Sequence, residues 1–155
     1  RETSLDEIVH GVILKYRRYL MESNVKLNIT LDNDIVYTDT KWLTFILSQI
    51  VQNSIKYFDK PDKILSIRTS DRPSSVVLII EDNGCGIPAA DLPRIFEKGF
   101  TGSDRSRTNA TGMGLYLARK LALRLGLNLT AESVEGEYTR ILLSFPKGTV
   151  HRFDG

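Results

Sequence analysis

Five consecutive apolar residues, Val76-Val77-Leu78-Ile79-Ile80, run straight into Glu81-Asp82-Asn83-Gly84-Cys85-Gly86-Ile87-Pro88. A β-prone run this short, with no polar alternation, reads as a central, buried strand rather than a half-exposed one. Ile64 to Thr69 precedes it across a polar turn at 71–75, so the two segments read as a hairpin. The buried strand therefore ends by delivering one carboxylate and two glycines to a single point in the fold.

The other elements follow from periodicity and capping. Ser4-Leu5-Asp6-Glu7 is a capping box, in which the Ser4 hydroxyl and Glu7 carboxylate satisfy backbone donors, and it predicts a first helix running to about Met21. Lys26 to Asp32 alternates polar with apolar, and Ile35 to Thr38 adds a second short strand. Leu43, Ile46, Leu47, Ile50 and Phe58 recur at helical spacing, with Asp39 or Thr40 as N-cap, giving a second helix from Thr40 to Phe58. Pro88 to Phe96 reads as a short helix. Residues 101–111 are polar with no face to bury, and Gly112 to Leu125 resumes helical spacing before Gly126. Leu127 to Val134 and Tyr138 to Phe145 read as strands around Glu135-Gly136, and 151–155 as a frayed tail.

At 155 residues and 41% hydrophobic content the chain fits one domain, placed at 1–150. Twenty-one basic against nineteen acidic residues leave a net charge of +2, too little to favour nucleic acid or an anionic membrane across the whole surface. Cys85 is the only cysteine, which rules out an intrachain disulfide and suits a reducing compartment, the cytoplasm. No apolar run approaches the roughly 20 residues of a membrane span. The chain begins at Arg1 without an initiator methionine, as expected of a cytoplasmic, monomeric piece of a longer, membrane-anchored protein.

Three segments carry chemistry. An ionised Asp82 only accepts hydrogen bonds, so it suits the exocyclic amine of adenine and repels the carbonyl oxygen that guanine presents there; Gly84 and Gly86 permit a sharp turn and close approach to a flat base. An ordinary strand-to-helix turn accounts for the same residues equally well. Gln49, Asn53 and Lys56 fall at spacings of four and three, on one helix stripe. An Asn53 amide oxygen can enter the shell of Mg²⁺, and Lys56 can neutralise phosphate, although a solvated helix face explains the stripe as well. Tyr57 suits a base or the core. Gly112-Met113-Gly114-Leu115 opens a helix, whose exposed backbone donors favour phosphate. Arg119, Lys120 and Arg124 later in that helix are explained by its carboxyl end alone.

The order of these segments resembles the catalytic domain of bacterial sensor histidine kinases, within the superfamily that also holds gyrase, the Hsp90 chaperones and the MutL proteins. Gln49 to Tyr57 is similar to the N box, Asp82-x-Gly-x-Gly to the G1 box, Ile95 to Phe100 to the F box, and Gly112-x-Gly-Leu-x-Leu-Ala to the G2 box. Asp39 and the closing Gly136…Thr139…Phe145-Pro146 fit as well, and the wording DLPRIF, KGFTG and TGMGLYLARKL is similar to small intramembrane-sensing kinases of Gram-positive bacteria that respond to antimicrobial peptides. The resemblance implies an α+β fold, a two-layer sandwich of a mixed sheet on three helices, with ATP beneath a lid at about 101–111. It also implies that Asn53 binds Mg²⁺, Lys56 the phosphates and Asp82 the adenine amine. Tyr57, Gly84, Gly86, Ile87, Phe100, Thr111, Gly112, Met113, Gly114, Leu115 and Thr139 would surround the nucleotide, with Phe96 and Phe100 anchoring the lid. Three residues depart from the pattern: Gln49 replaces the first asparagine of the N box, Ser54 its alanine, and Ile141 stands where the family often has an aromatic residue.

The resemblance further implies transfer of the γ-phosphoryl group to a histidine on a dimerisation domain, and a response regulator as the next partner of a homodimeric parent. Hydrolysing relatives place a glutamate where Gln49 stands, and an amide orients water without taking its proton, so ATP hydrolysis is disfavoured. A module that binds ATP and transfers nothing is the competing reading. Only His10 and His151 are present, and neither sits in an acceptor pattern.

Overall fold

The computed structural model describes residues 2–32, 34–101 and 113–152. In chain order the elements are β1 (Glu2–Ser4), α1 (Leu5–Lys15), α2 (Arg17–Glu22), β2 (Val25–Thr30), β3 (Asp34–Tyr37), α3 (Thr40–Lys56), β4 (Lys63–Asp71), β5 (Ser75–Asp82), α4 (Gly114–Arg124), β6 (Asn128–Val134), β7 (Tyr138–Pro146) and β8 (Val150–Arg152). Two helices start where their caps place them. The Ser4 hydroxyl accepts from the Glu7 N–H at 3.3 Å, and the Asp39 carboxylate accepts from the Trp42 N–H at 3.0 Å.

Five strands form a mixed sheet in the order β2-β4-β5-β7-β6, with β2 parallel to β4 and the other pairs antiparallel. The apolar run of β5 is thus the central strand, as its sequence requires. Leu78 and Ile80 point into the main core with Ile8, Leu43, Ile46 and Ile50 from α1 and α3, and with Ala118 from α4. Val77 and Ile79 point the other way and are buried with Leu142 on the outer face. There the Arg140 guanidinium donates to Glu81 at 2.6 Å and Glu132 at 2.9 Å, continuing the same face toward the carboxyl end of β5. The architecture is the expected α+β sandwich, with the helices on one face of a mixed sheet.

Several expectations need correction. The first helix does not reach Met21 unbroken: Tyr16 leaves helical geometry (φ −101°, ψ 11°) and its hydroxyl donates to the Ser48 carbonyl of α3 at 3.3 Å, so the chain continues as a separate α2. The second helix ends at Lys56 rather than Phe58, because Tyr57 turns its carbonyl toward the Cys85 N–H, which donates to it at 3.0 Å. Of the helix expected from Pro88 to Phe96 only a 3-10 turn at Leu92–Arg94 forms, with Pro93 inside it. The two strands after α2 belong to different sheets. β2 edges the main sheet, whereas β3 lies between β1 and β8 in a three-stranded antiparallel sheet that local pattern does not reveal. The chain expected to fray after 150 supplies β8, through Arg152. Four helices are present among the described residues rather than three, the fourth helix starting at Gly114.

Candidate nucleotide-binding site

The site is built at the carboxyl end of β5, where strand register sets its floor. Leu65, Asp82, Thr139 and Ser133 are successive cross-strand partners on β4, β5, β7 and β6, so their side chains share the helix-facing side of the sheet. Asp82 is only 3% exposed. Its Oδ1 accepts from the Gly84 N–H at 2.9 Å, and the Ser54 hydroxyl donates to the same carboxylate. Burial pushes the Asp82 carboxyl up to about 6, against the opposing pull of the two hydrogen bonds, while neighbouring Glu81 pushes it up further and Lys60 lowers it. A carboxylate at the base of a cleft with so costly a charge does not serve stability, which makes Asp82 a candidate functional group.

The loop after Asp82 is held by backbone contacts. Lys60 Nζ donates to the Asn83 carbonyl at 2.8 Å and the Gly84 carbonyl at 2.6 Å. The Asn83 side chain accepts from the Ile64 N–H at 2.8 Å and donates to the Asp62 carbonyl at 2.7 Å. Both glycines are required here by the surrounding protein. A Cβ at Gly84 would run into the Tyr57 carbonyl and lie 2.8 Å from Asp82 Oδ1. Gly86 has φ +68°, and a Cβ there would strike the Val134 carbonyl. Gly86→Ala is therefore expected to cost at least about 1–2 kcal/mol from the left-handed backbone alone. Urea denaturation checks this, and an unchanged midpoint would contradict the packing.

Above this floor lies a cavity of about 150 Å³ between α3, α4, the 84–101 segment and the β6–β7 turn. Of the residues expected at the site, Asn53, Tyr57, Asp82, Gly86, Ile87, Phe100, Leu115 and Thr139 line it. Gly84 is buried behind Asp82. Gln49 faces the start of α4, its Oε1 lying 2.8 Å from where a Cβ on Gly114 would stand. Lys56 is exposed at the end of α3 and is not part of the lining, and Met113 is half-buried just ahead of α4. Of the lid expected at about 101–111, residues 102–111, Thr111 among them, lie outside the described residues, as does Gly112. Phe96 and Phe100 pack against the main core, and the Arg119 guanidinium lies 5.2 Å from the centre of the Phe96 ring. Arg94 sits 4.4 Å from the Phe100 ring in the same way.

Other lining residues were not among those expected to contact the nucleotide. Cys85, Pro88, Asp91, Ile95, Thr101 and Glu135 also line the cavity. Cys85 Sγ donates to the Gly86 carbonyl at 3.3 Å, and the Cys85 carbonyl accepts from the Gly136 N–H at 2.6 Å, which docks the β6–β7 turn on the loop. Ser54 and Ser133 were legible in principle: Ser54 stands where the family pattern has alanine, and Ser133 is a polar residue on the strand face otherwise held by Leu129 and Ala131. His10 is exposed on α1, its Nδ1 bonded to the Asp6 carbonyl at 2.7 Å, a local helix contact and not a site.

Residues 38–149 match the family described as the histidine kinase-, DNA gyrase B-, and HSP90-like ATPase. The chain is 40% identical over 147 residues to the sensor protein BceS of Halalkalibacterium halodurans, covering 94% of this chain and 43% of that protein. It is 39% identical over 148 residues to the sensor histidine kinase GraS of Staphylococcus haemolyticus, covering 94% and 42%. The chain thus spans less than half the length of these relatives. Among solved structures, the fold matches the catalytic domain of histidine kinase ThkA (TM-score 0.81, 23% identity, covering 95% of this chain and 97% of that one). It also matches the mycobacterial sensor histidine kinase MprB (TM-score 0.80, 20% identity, 94% and 96%). No helix among the described residues is long and apolar enough to cross a membrane. With residues 38–149 matched by that model, the chain belongs to the histidine kinase-, DNA gyrase B- and HSP90-like ATPase family.

Proposed function

We propose that this domain binds Mg-ATP and transfers its γ-phosphoryl group to a histidine on a separate dimerisation domain, from which it passes to a response regulator. The observation that carries the reading is the buried Asp82 carboxylate on the cavity floor, an acceptor placed to take a hydrogen bond from the adenine amine. Tyr57, Ile87, Phe100 and Leu115 supply apolar walls for the base and ribose, and Thr139 a second polar contact beside Asp82. Lys56 meets the phosphates from the end of α3, together with the backbone donors of Met113 and Gly114 at the start of α4 and the adjoining Thr111 and Gly112.

The Asn53 side chain lines the cavity, and its amide oxygen is of the kind that enters a magnesium shell. Asn53 would supply the protein ligand, the remaining ligands being phosphate oxygens and water. Magnesium, when bound, neutralises charge on the β- and γ-phosphates.

Transfer asks little acid–base chemistry of the protein. A neutral imidazole nitrogen attacks the γ-phosphorus, the bond to the β–γ bridging oxygen breaks, and ADP departs. The protein contributes position and charge. Gln49 favours this outcome over hydrolysis, because its amide orients but does not deprotonate a water. The parent is read as a membrane-anchored homodimer whose cytoplasmic part includes this monomeric domain.

The test is to mix the protein with γ-labelled ATP, alone and with a separately made dimerisation domain bearing its histidine. Label is expected on that histidine and none on this chain alone, since neither His10 nor His151 sits in an acceptor pattern. Steady phosphate release without labelled histidine would mean an ATPase, and binding without transfer a nucleotide-dependent module.

A further inference from the structure

Ser133 lies outside every motif by which the site was read, yet its hydroxyl joins three parts of that site. The Ile87 N–H, from the loop after β5, donates to Ser133 Oγ at 2.8 Å. Ser133 Oγ donates to the Tyr138 carbonyl at 2.6 Å and lies 3.1 Å from Thr139 Oγ1. A hydroxyl has one proton and two lone pairs. With the proton committed to the short bond to Tyr138, Ser133 is an acceptor toward its other two partners. Thr139 must then spend its own proton on Ser133, and only its lone pairs remain to face the cavity that it lines.

We propose that Ser133 is a positioning residue for purine selection, fixing the Thr139 hydroxyl as an acceptor beside the Asp82 carboxylate. The two acceptors are direct cross-strand partners, and Thr139 is only 6% exposed, so bulk water does not reset its hydroxyl. A pair of adjacent acceptors matches a ligand edge that offers N–H donors, as a 6-amino purine does directly or through a shared water. It opposes the carbonyl that a 6-oxo purine places where the amine would sit, because lone pairs then face lone pairs there. Ser133 itself touches no ligand in this arrangement. Its influence passes through Thr139, and through Ile87 it also holds the loop in place.

This inference rests on the assignment of the cavity to adenine, and the test separates the two. Binding of ATP and of ITP, which carries a carbonyl in place of the amine, is measured for the wild type, Ser133→Ala, Ser133→Thr and Thr139→Val, with thermal melts of each. The wild type is expected to prefer ATP. In Ser133→Ala the freed Thr139 hydroxyl can turn its proton toward the base, so the ATP-to-ITP affinity ratio should fall by about fivefold to tenfold. Loosening of the loop through Ile87 would weaken both nucleotides alike and leave the ratio intact. Ser133→Thr keeps the hydroxyl and should keep the ratio, and Thr139→Val should produce no further loss of preference in the Ser133→Ala background. A Ser133→Ala protein with the wild-type ratio overturns the inference and leaves the adenine assignment standing. A wild type without preference for ATP overturns both. Should Ser133→Ala not fold, the Thr139→Val ratio decides: an unchanged preference there overturns the role given to the Thr139 lone pairs.

Discussion

Replacing Asp82 by asparagine is expected to make the protein more stable and to cost it its nucleotide. The two effects have one cause. Burial raises the folded-state carboxyl to about 6 from the ordinary 3.8, so between these values the folded protein binds the proton that the unfolded chain releases. A raised carboxyl of this kind favours folding fully below about 3.8, and the advantage is lost as pH climbs through about 6. At pH 7 the ionised Asp82 therefore opposes folding by on the order of 3 kcal/mol, an upper bound on what the uncharged amide of Asp82→Asn would relieve. Asparagine keeps an oxygen to accept from the Gly84 N–H. It also brings an N–H₂ group that can turn toward the cavity, and it removes a charge-assisted bond to the adenine amine worth about 1.5–3 kcal/mol. ATP affinity should fall at least about tenfold, and selectivity for adenine should fall with it to the share that Thr139 supplies. Melting at pH 7 checks the first effect and titration calorimetry the second. Unchanged affinity would remove Asp82 from the site. The same linkage predicts that wild-type affinity for ATP, steady above pH 7, drops as pH falls below about 6 and the carboxylate is protonated.

Asn53→Ala should act on a different quantity. Asn53 lines the cavity from α3, one turn after Gln49, and is half-buried, so truncating it leaves the helix interior of Ile46, Ile50 and Val51 untouched. The fold should survive with a melting temperature close to the wild type. What disappears is the amide ligand expected for nucleotide-bound magnesium, and with it the stimulation of phosphoryl transfer by that ion. Loss of one preorganised polar contact to a developing charge typically lowers the rate by about 100-fold to 1,000-fold. Transfer to the histidine of a dimerisation domain, followed with and without magnesium, measures this. A variant that still transfers at the wild-type rate would refute the role of Asn53, and a variant that unfolds would show that the residue serves packing instead.

Much of the site was legible in the sequence because its residues sit at junctions with local signatures. Asp82 follows an unbroken apolar strand, and Asn53 falls on the helix stripe that begins at Gln49. Thr139 lies one strand away in a register that the Glu135-Gly136 turn sets. The hairpin of β4 and β5 and that of β6 and β7 were readable for the same reason: a short turn dictates the pairing. What escaped was long-range. The sheet of β1, β3 and β8 joins segments more than a hundred residues apart, and no local periodicity records which strands will meet. The break at Tyr16 arises from a hydroxyl that reaches Ser48 on another helix, and the early end of α3 from a carbonyl claimed by Cys85. Gly84 and Gly86 were identified correctly as positions of close approach, but the approaching atoms belong to Tyr57 and Val134. Ser54 and Ser133 escaped for a related reason. Each is an ordinary small polar residue until the fold brings it to Asp82 or to Ile87 and Thr139.

Calorimetric titration of the folded protein with a non-hydrolysable ATP analogue, magnesium present, at about pH 7.5, where a carboxyl raised to about 6 is ionised, tests the central claim most directly. Saturable heat with a dissociation constant below millimolar, and none with the corresponding guanine nucleotide, is the result that a buried acceptor on the cavity floor predicts. A folded sample that takes up neither nucleotide at millimolar concentration, or both equally, would contradict it.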